Sequence, residues 1–246
     1  MSRVFISGSI SIKKLPSGVI DSLKKIKDNN LTVLVGDADG VDKKIQDFYS
    51  HNCYDNVEVY SIYSSPRNVS SSSFSTNTVA VDDDIKKERE RQTKKDEAMT
   101  LDSEYSFIIW DGKSKGSYKN IIRALELGKK IKVYLLSENK FIEQVKVSKN
   151  EIDFIYYESN GYSAKEVVDY LLNEGNEFFK NTREFNKFLL DRKVIAKKDK
   201  VYVPLKNHNH FIIEKYKGIV TGIKFNNSFI DWLESEISSV TQEELF

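Results

Sequence analysis

The chain has 246 residues, 39% hydrophobic and 30% charged, with a formal net charge of +1 and a single cysteine. That is enough apolar side chain for a core and too long for the commonest single domain, so one standard domain plus a smaller one is expected. No run approaches the roughly 18 apolar residues that span a bilayer, and one cysteine, Cys53, allows neither an internal disulfide nor a thiolate metal cluster.

Strand and helix patterns alternate from the start. "RVFIS" (Arg3 to Ser7) is a short β-branched and aromatic run ending at Gly8. "VIDSLKKIKDNN" sets Val19, Ile20, Leu23 and Ile26 on one helical face before Asn29 and Asn30 stop it. "LTVLVG" repeats the strand signal, "VDKKIQDFYS" predicts a second helix, and "VEVYSIY", "YSFIIW" and "KIKVYLL" predict three further strands. Apolar strands separated by helices are what a parallel sheet covered on both faces requires, because parallel neighbours need crossover connections. Residues 1–158 are therefore expected to form a doubly wound, mostly parallel Rossmann-like α/β domain.

In such sheets ligands sit outside the carboxyl ends of the strands. The segments that follow four of the expected strands are "SGSIS", "GDADGVD", "YSSPRN" and "DGKSKGS", three of them small and glycine-bearing. Glycines 8, 36, 40, 112 and 116 would let backbone approach a ligand or take positive φ, and a turn opening into a helix aims N–H groups and a positive dipole end at an anion. Ser7, Ser9, Ser114 and Ser117 add hydroxyls, Lys95 and Lys113 add charge, and Arg67 and Asn68 follow the third strand. Asp37 is expected to line the pocket. Asp39 is a further nucleotide-binding candidate, although it can instead serve as the N-cap of the second helix, with Asp42 as its first-turn acid.

Five blocks, "RVFISGS", "VLVGDADGVDKKIQ", "RN", "KKDEAM" and "IIWDGKSKGSYKNI", carry a resemblance. In this order they resemble the SLOG superfamily of Rossmann-like domains, which includes the DprA, Lonely Guy and YspA-like groups; the look is closest to the YspA-like branch and covers about residues 3–140. The resemblance implies a nucleotide or nucleotide-derived ligand. In the Lonely Guy enzymes a Gly-Gly-x-Gly-Thr-x-x-Glu loop holds phosphate and supplies a catalytic glutamate. Here Gly116 and Ser117 match the Gly-Thr positions, Gly112 lies farther upstream, and Asn120 stands where the glutamate would be. A neutral amide stabilises the oxocarbenium-like state of N-glycosidic cleavage far less than a carboxylate does. Asp96, Glu97 and Asp111 are the carboxylates available to substitute, with Asp96 and Asp111 the catalytic candidates; ribose binding and plain helix solvation are the alternatives.

The stretch from Ser64 to Met99 begins serine-rich, as a mobile connection would, and ends as a charged helix. It reads as a lid or as a surface insertion. As a lid it would bring Arg67, Arg89 and Arg91 over phosphates. His51, His208 and His210 lack a third ligand at metal spacing, and Asp82–Asp84 read as a solvated run, so neither a metal nor a cofactor is expected.

From residue 159 to 246 the pattern changes to a small α+β, winged-helix-like domain. "SAKEVVDYLLNEG" is an amphipathic helix, "NTREFNKFLLDRK" a second capped by Asn181 or Thr182, and "VIAKKDKVYVPLKN" a hairpin turning at "KKDK". "FNKFLLDRKVI" with "KVYVPLKN" also resembles, more weakly, the C-terminal domains of phage antirepressors. Phe178 to Ile230 holds 12 basic and 4 acidic residues, which makes DNA a candidate partner of this domain, although "VTQEELF" and the helix before it restore acids. Phe178, Phe179, Phe185 and Phe188 read as core rather than as a base-stacking platform. The function expected is capture of a nucleotide, possible signalling role included, as a sensor or sequestering protein in a phage or phage-defence setting. An N-glycosidase and a DNA-associated regulator are the alternatives. A cytoplasmic homo-oligomer without membrane contact completes the expectation.

Overall fold

A computed structural model describes residues 2–206 and 208–243, with the side chains of His208 and 241–243 left aside. His208 of the histidine pair and most of the acidic "VTQEELF" end thus lie outside the described side chains. The chain divides into two compact units, Met1–Ile152 and Asp153–Phe246. The division falls inside a helix, α5 (Lys149–Asn160), for which the sequence reading had no element.

The first unit is a seven-stranded sheet built from β1 (Arg3–Gly8), β2 (Thr32–Gly36), β3 (Val57–Ser61), β4 (Ser75–Thr78), β5 (Tyr105–Trp110), β6 (Lys130–Leu135) and β7 (Lys140–Phe141). Their order is β4-β3-β2-β1-β5-β6-β7. All neighbours run parallel except β6 and β7. Four helices cover it: α1 (Ser17–Asp28), α2 (Val41–His51), α3 (Glu88–Leu101) and α4 (Lys115–Glu126). Alternation along β1 shows why both faces must be covered. Val4 and Ile6 join a cluster with Val19, Leu23, Ile45 and Tyr49 of α1 and α2. Phe5 joins Leu34, Tyr60 and Met99 of α3 on the opposite face. All three β1 side chains are within 2% of complete burial, so each face contributes to the hydrophobic stabilisation of the sheet.

Two strands of this sheet were not expected. β4 has the sequence Ser-Thr-Asn-Thr and is exposed throughout, so it carries no apolar signal and exists through its backbone ladder to β3. The serine-rich stretch before it is tied down rather than strung loosely: Ser70 N–H donates to Gln46 Oε1 (3.0 Å), Ser50 Oγ donates to the Ser70 carbonyl (3.1 Å), and Phe74 is buried. β7 is two residues long, too short for any pattern to announce it.

The second unit contains α6 (Ala164–Asn173), α7 (Thr182–Asp191), β8 (Ile195–Lys198), β9 (Val201–Pro204), β10 (Phe211–Tyr216), β11 (Ile219–Phe225) and α8 (Asn227–Glu243). Ser163 and Glu166 form a capping box on α6, and the Asn181 side chain accepts from the N–H groups of Arg183 and Glu184 to cap α7. β8 and β9 form a hairpin whose turn residues Asp199 and Lys200 both take positive φ, as a two-residue turn between twisted strands requires. A second hairpin, β10 with β11, was missed; it turns at Lys217 and Gly218 in the same left-handed region. Phe179, Phe185, Leu189, Phe225 and Phe229 centre the core of this unit, with Phe178 and Phe188 packed against it, so these rings are occupied by one another.

Candidate functional site

Sheet order reverses between β1 and β5, since the chain steps from β1 outward to β4 and then returns to lay β5 on the other side of β1. A cavity of about 550 Å³ opens there, within the range of small-molecule sites. Its walls come from the turn after β1 (Gly8 to Ser11), Ala38 and Asp42 after β2, Arg67 after β3, one stripe of α3, and the turn after β5 leading into α4.

The β5–α4 turn is organised by Asp111. Its Oδ1 accepts from the N–H groups of Lys113 (3.0 Å) and Ser114 (2.7 Å), and its Oδ2 accepts from Ser11 Oγ (3.0 Å). Burial alone would raise its pKa, but these donors, Ser114 and Lys113 foremost, hold the carboxyl below the usual carboxylate range. The Asp111 N–H donates to Ser9 Oγ (3.2 Å), which also bonds Ser114 Oγ (2.7 Å), so the turns after β1 and β5 are locked together. Gly112, at φ +79°, supplies the left-handed residue of the turn. α4 then begins at Lys115 with no side-chain cap among the described residues, and Lys115, Gly116 and Ser117 of its first turn all border the cavity.

Below this rim lies a charged cluster. Asp37 is fully buried; its oxygens accept from Arg67 Nη2 (2.7 Å), Nε (3.2 Å) and N–H (3.1 Å), from Ser61 Oγ (2.8 Å) and from Lys95 Nζ (3.4 Å). Burial opposes its ionisation, yet Arg67 and Lys95 together carry its pKa well below the ordinary value. Lys95, itself buried, also lies 4.0 Å from Asp42 Oδ2 and 3.9 Å from Asp96 Oδ1. Burial pushes Asp42 up to about 6, with Lys95 opposing and Asp96 adding to the rise. Asp96 is raised for the same first reason, against Lys95 and Asn120. Asn120 donates through Nδ2 to Ser7 Oγ and Asp96 Oδ2 (3.2 Å each) and accepts from Arg123 Nη1 (2.8 Å).

Of the residues singled out from sequence, Ser7, Gly8, Ser9, Arg67, Lys95, Asp96, Asp111, Ser114, Gly116 and Ser117 border this one cavity. Gly36, Asp37, Asp39, Gly40, Asn68, Gly112 and Lys113 do not. Asp37 does not line the cavity as expected: its oxygens are taken by Arg67, Ser61 and Lys95, so it braces Arg67 and Lys95, which do. Asp39 does not cap α2, whose N-cap is Gly40; it accepts from Asn68 Nδ2 (3.2 Å), which also donates to the Asp37 carbonyl (2.9 Å). Three glycines serve the protein's own packing. A Cβ at Gly8 would lie 2.4 Å from the Ile109 carbonyl oxygen, one at Gly36 2.2 Å from Asp42 Oδ2, and one at Gly40 2.4 Å from the Ile10 carbonyl oxygen. Around Gly116 a Cβ would meet nothing within 4 Å.

Among the three arginines of the expected lid, Arg89 borders the cavity, Arg67 does so while bound to Asp37, and Arg91 instead donates to the Ile85 carbonyl. Asp42, Asn120, Gln92 and Thr93 are wall residues that the sequence reading did not assign to the pocket. A signal was present: Arg89, Gln92 and Asp96 recur at helical spacing, a polar stripe on a helix.

No protein-family model matches the sequence, and no curated protein is detectably similar to it. Among solved structures, that of DNA processing protein A from Helicobacter pylori, described for its unique single-stranded DNA binding mode, is similar at a TM-score of 0.40 and 16% identity. The similarity covers 78% of this chain and 81% of that one.

Proposed function

We propose that the first unit is a nucleotide-binding module of the SLOG kind, which captures a nucleotide or nucleotide-derived ligand and acts as a sensor or a sequestering protein. The observation that carries this reading is the composition of one cavity at the switch point. It combines the uncapped start of α4 and the hydroxyls of Ser9, Ser114 and Ser117 with the cations of Arg67, Arg89, Lys115 and Lys119. An anion is favoured at such a helix start by free N–H groups and by the dipole, and more so beside guanidinium and ammonium groups. The test is a thermal shift against nucleoside monophosphates, NAD and cyclic nucleotides. A ligand at 100 times its dissociation constant stabilises by about 2.7 kcal/mol, and a panel that moves the transition nowhere defeats the reading.

N-glycosidic hydrolysis is the second reading, and Asp96 favours it, being a raised carboxyl at the cavity wall. Asp111 is the weaker of the two catalytic candidates because both its oxygens are engaged within the turn. Release of free base that disappears in Asp96→Asn would replace capture by turnover. The second unit is a separate matter: Lys197, Lys198 and Lys200 at the β8–β9 turn have no carboxylate partner among the described residues. DNA binding through that turn predicts a salt-dependent mobility shift that reversal of these three charges abolishes.

A further inference from the structure

Resting on the nucleotide reading, we infer that the cavity selects a ribonucleotide over a deoxyribonucleotide, with Asp96 and Asp42 accepting hydrogen bonds from the sugar's vicinal hydroxyls. The cavity wall carries two kinds of polar group. Around the start of α4 it offers donors and cations; at Asp42 and Asp96 it offers oxygens that can only accept when ionised. Asp96 Oδ2 is filled by Asn120, whereas Oδ1 has only Lys95 at 3.9 Å, beyond hydrogen-bond distance. Asp42 is 9% exposed, and its Oδ2 takes one long bond from the Ala38 N–H (3.4 Å), while Oδ1 has no hydrogen bond among the described residues.

Two carboxylates at the cavity wall, Asp42 buried and Asp96 half-buried, approach the same lysine and each leave an oxygen without a donor among the described residues, which suits a ligand that brings O–H or N–H groups. Gly36 is part of this arrangement, since any side chain there would strike both Asp42 Oδ2 and Lys95 Nζ.

Position selects the sugar from among the donors that a nucleotide carries. Asn120, which fixes Asp96, lies five residues beyond Lys115 on α4, about 7–8 Å along the helix axis. A 5′-phosphate against the first turn of α4 places the ribose ring across that interval. The hydroxyls at C2′ and C3′ then face the carboxylates, while the amino groups of the base lie farther out. A 2′-deoxy sugar leaves one acceptor without the hydroxyl it would otherwise receive, a cost the ribose avoids.

The experiment measures the affinity of the intact protein for the four ribonucleoside 5′-monophosphates and their 2′-deoxy counterparts, by thermal shift and by calorimetry. The expected result is roughly tenfold tighter binding, or more, of the ribo form for whichever base binds. Asp96→Asn should narrow the ratio between the ribo and deoxy affinities, mainly by weakening the ribo form. Equal affinity of the two forms in the unaltered protein overturns this inference and leaves nucleotide capture standing. No binding of either form overturns both. The comparison within the unaltered protein decides the matter even if the variant folds poorly.

Discussion

Asp42 and Asp37 stand within one cluster and titrate in opposite directions, for reasons that can be separated. Asp37 has Arg67 on both oxygens, and its charge is stabilised in spite of burial; Asp42 has one long amide bond and a shared lysine, and burial prevails. Asp42 titrates near 6 when folded and about 3.9 when unfolded, so the folded state holds the extra proton between those values. Stability contributed by this group therefore falls as pH rises from about 4 to 6, and the cost is complete above 6. Asp42→Asn, a neutral isostere, should be more stable than the parent at pH 8, by on the order of 2–3 kcal/mol, and level with it at pH 4. Urea titrations at the two pH values give the difference directly. Asp37 has the reverse sign. Its contribution is present above the unfolded pKa and drains away in acid as pH falls through the depressed folded value. Asp37→Asn should cost about 3–5 kcal/mol at pH 7, because it leaves buried Lys95 and the Arg67 fork short of their counter-charge. A loss below 1 kcal/mol in the same titration would mean that the cluster relaxes around the change.

Elements separate what was legible in the chain from what was not. β1, β2, β3, β5 and β6 announced themselves through runs of buried apolar residues, and α1 through Val19 and Leu23 at helical spacing. β4 did not, because an exposed Ser-Thr-Asn-Thr strand is held by a neighbour's backbone and shows no pattern of its own. The loops of the site were legible as glycine-bearing turns after strands. The division of labour among the glycines was not, since it depends on which atoms the fold brings opposite each one. Gly8→Ala should destabilise the first unit by several kcal/mol through overlap with the Ile109 carbonyl and Val41. Gly116→Ala should leave stability unchanged or raise it by up to about 1 kcal/mol, because it removes a helix-unfavourable residue facing open space. If that space receives a phosphate, the same substitution weakens binding without unfolding, and thermal shift with and without ligand separates the two effects. In the second unit, Asn181→Ala should cost about 1 kcal/mol by uncapping α7, read by chemical denaturation.

For the whole molecule, the two units have separate hydrophobic clusters, one beneath the α1 and α2 face of the sheet and one centred on Phe185, Phe225 and Phe229. Phe185→Ala removes a fully buried ring that contacts Phe179, Phe225 and Phe229, a loss of about 3–5 kcal/mol. Hydrogen exchange should show that loss in residues 153–243 while protection of β1, β2 and β5 persists. Protection falling equally in both units would mean that they unfold as one. No helix among the described residues is long and apolar enough to cross a membrane.

The seven-stranded sheet also ends in a particular way at each rim. At one rim stands a four-residue polar strand, at the other a two-residue antiparallel one. Both give an incoming chain little ladder to extend and no apolar row to register against. Extension of this sheet by a strand of another chain at either rim is a mode of contact that these margins discourage, and a peptide copied from β4 should fail to bind the protein.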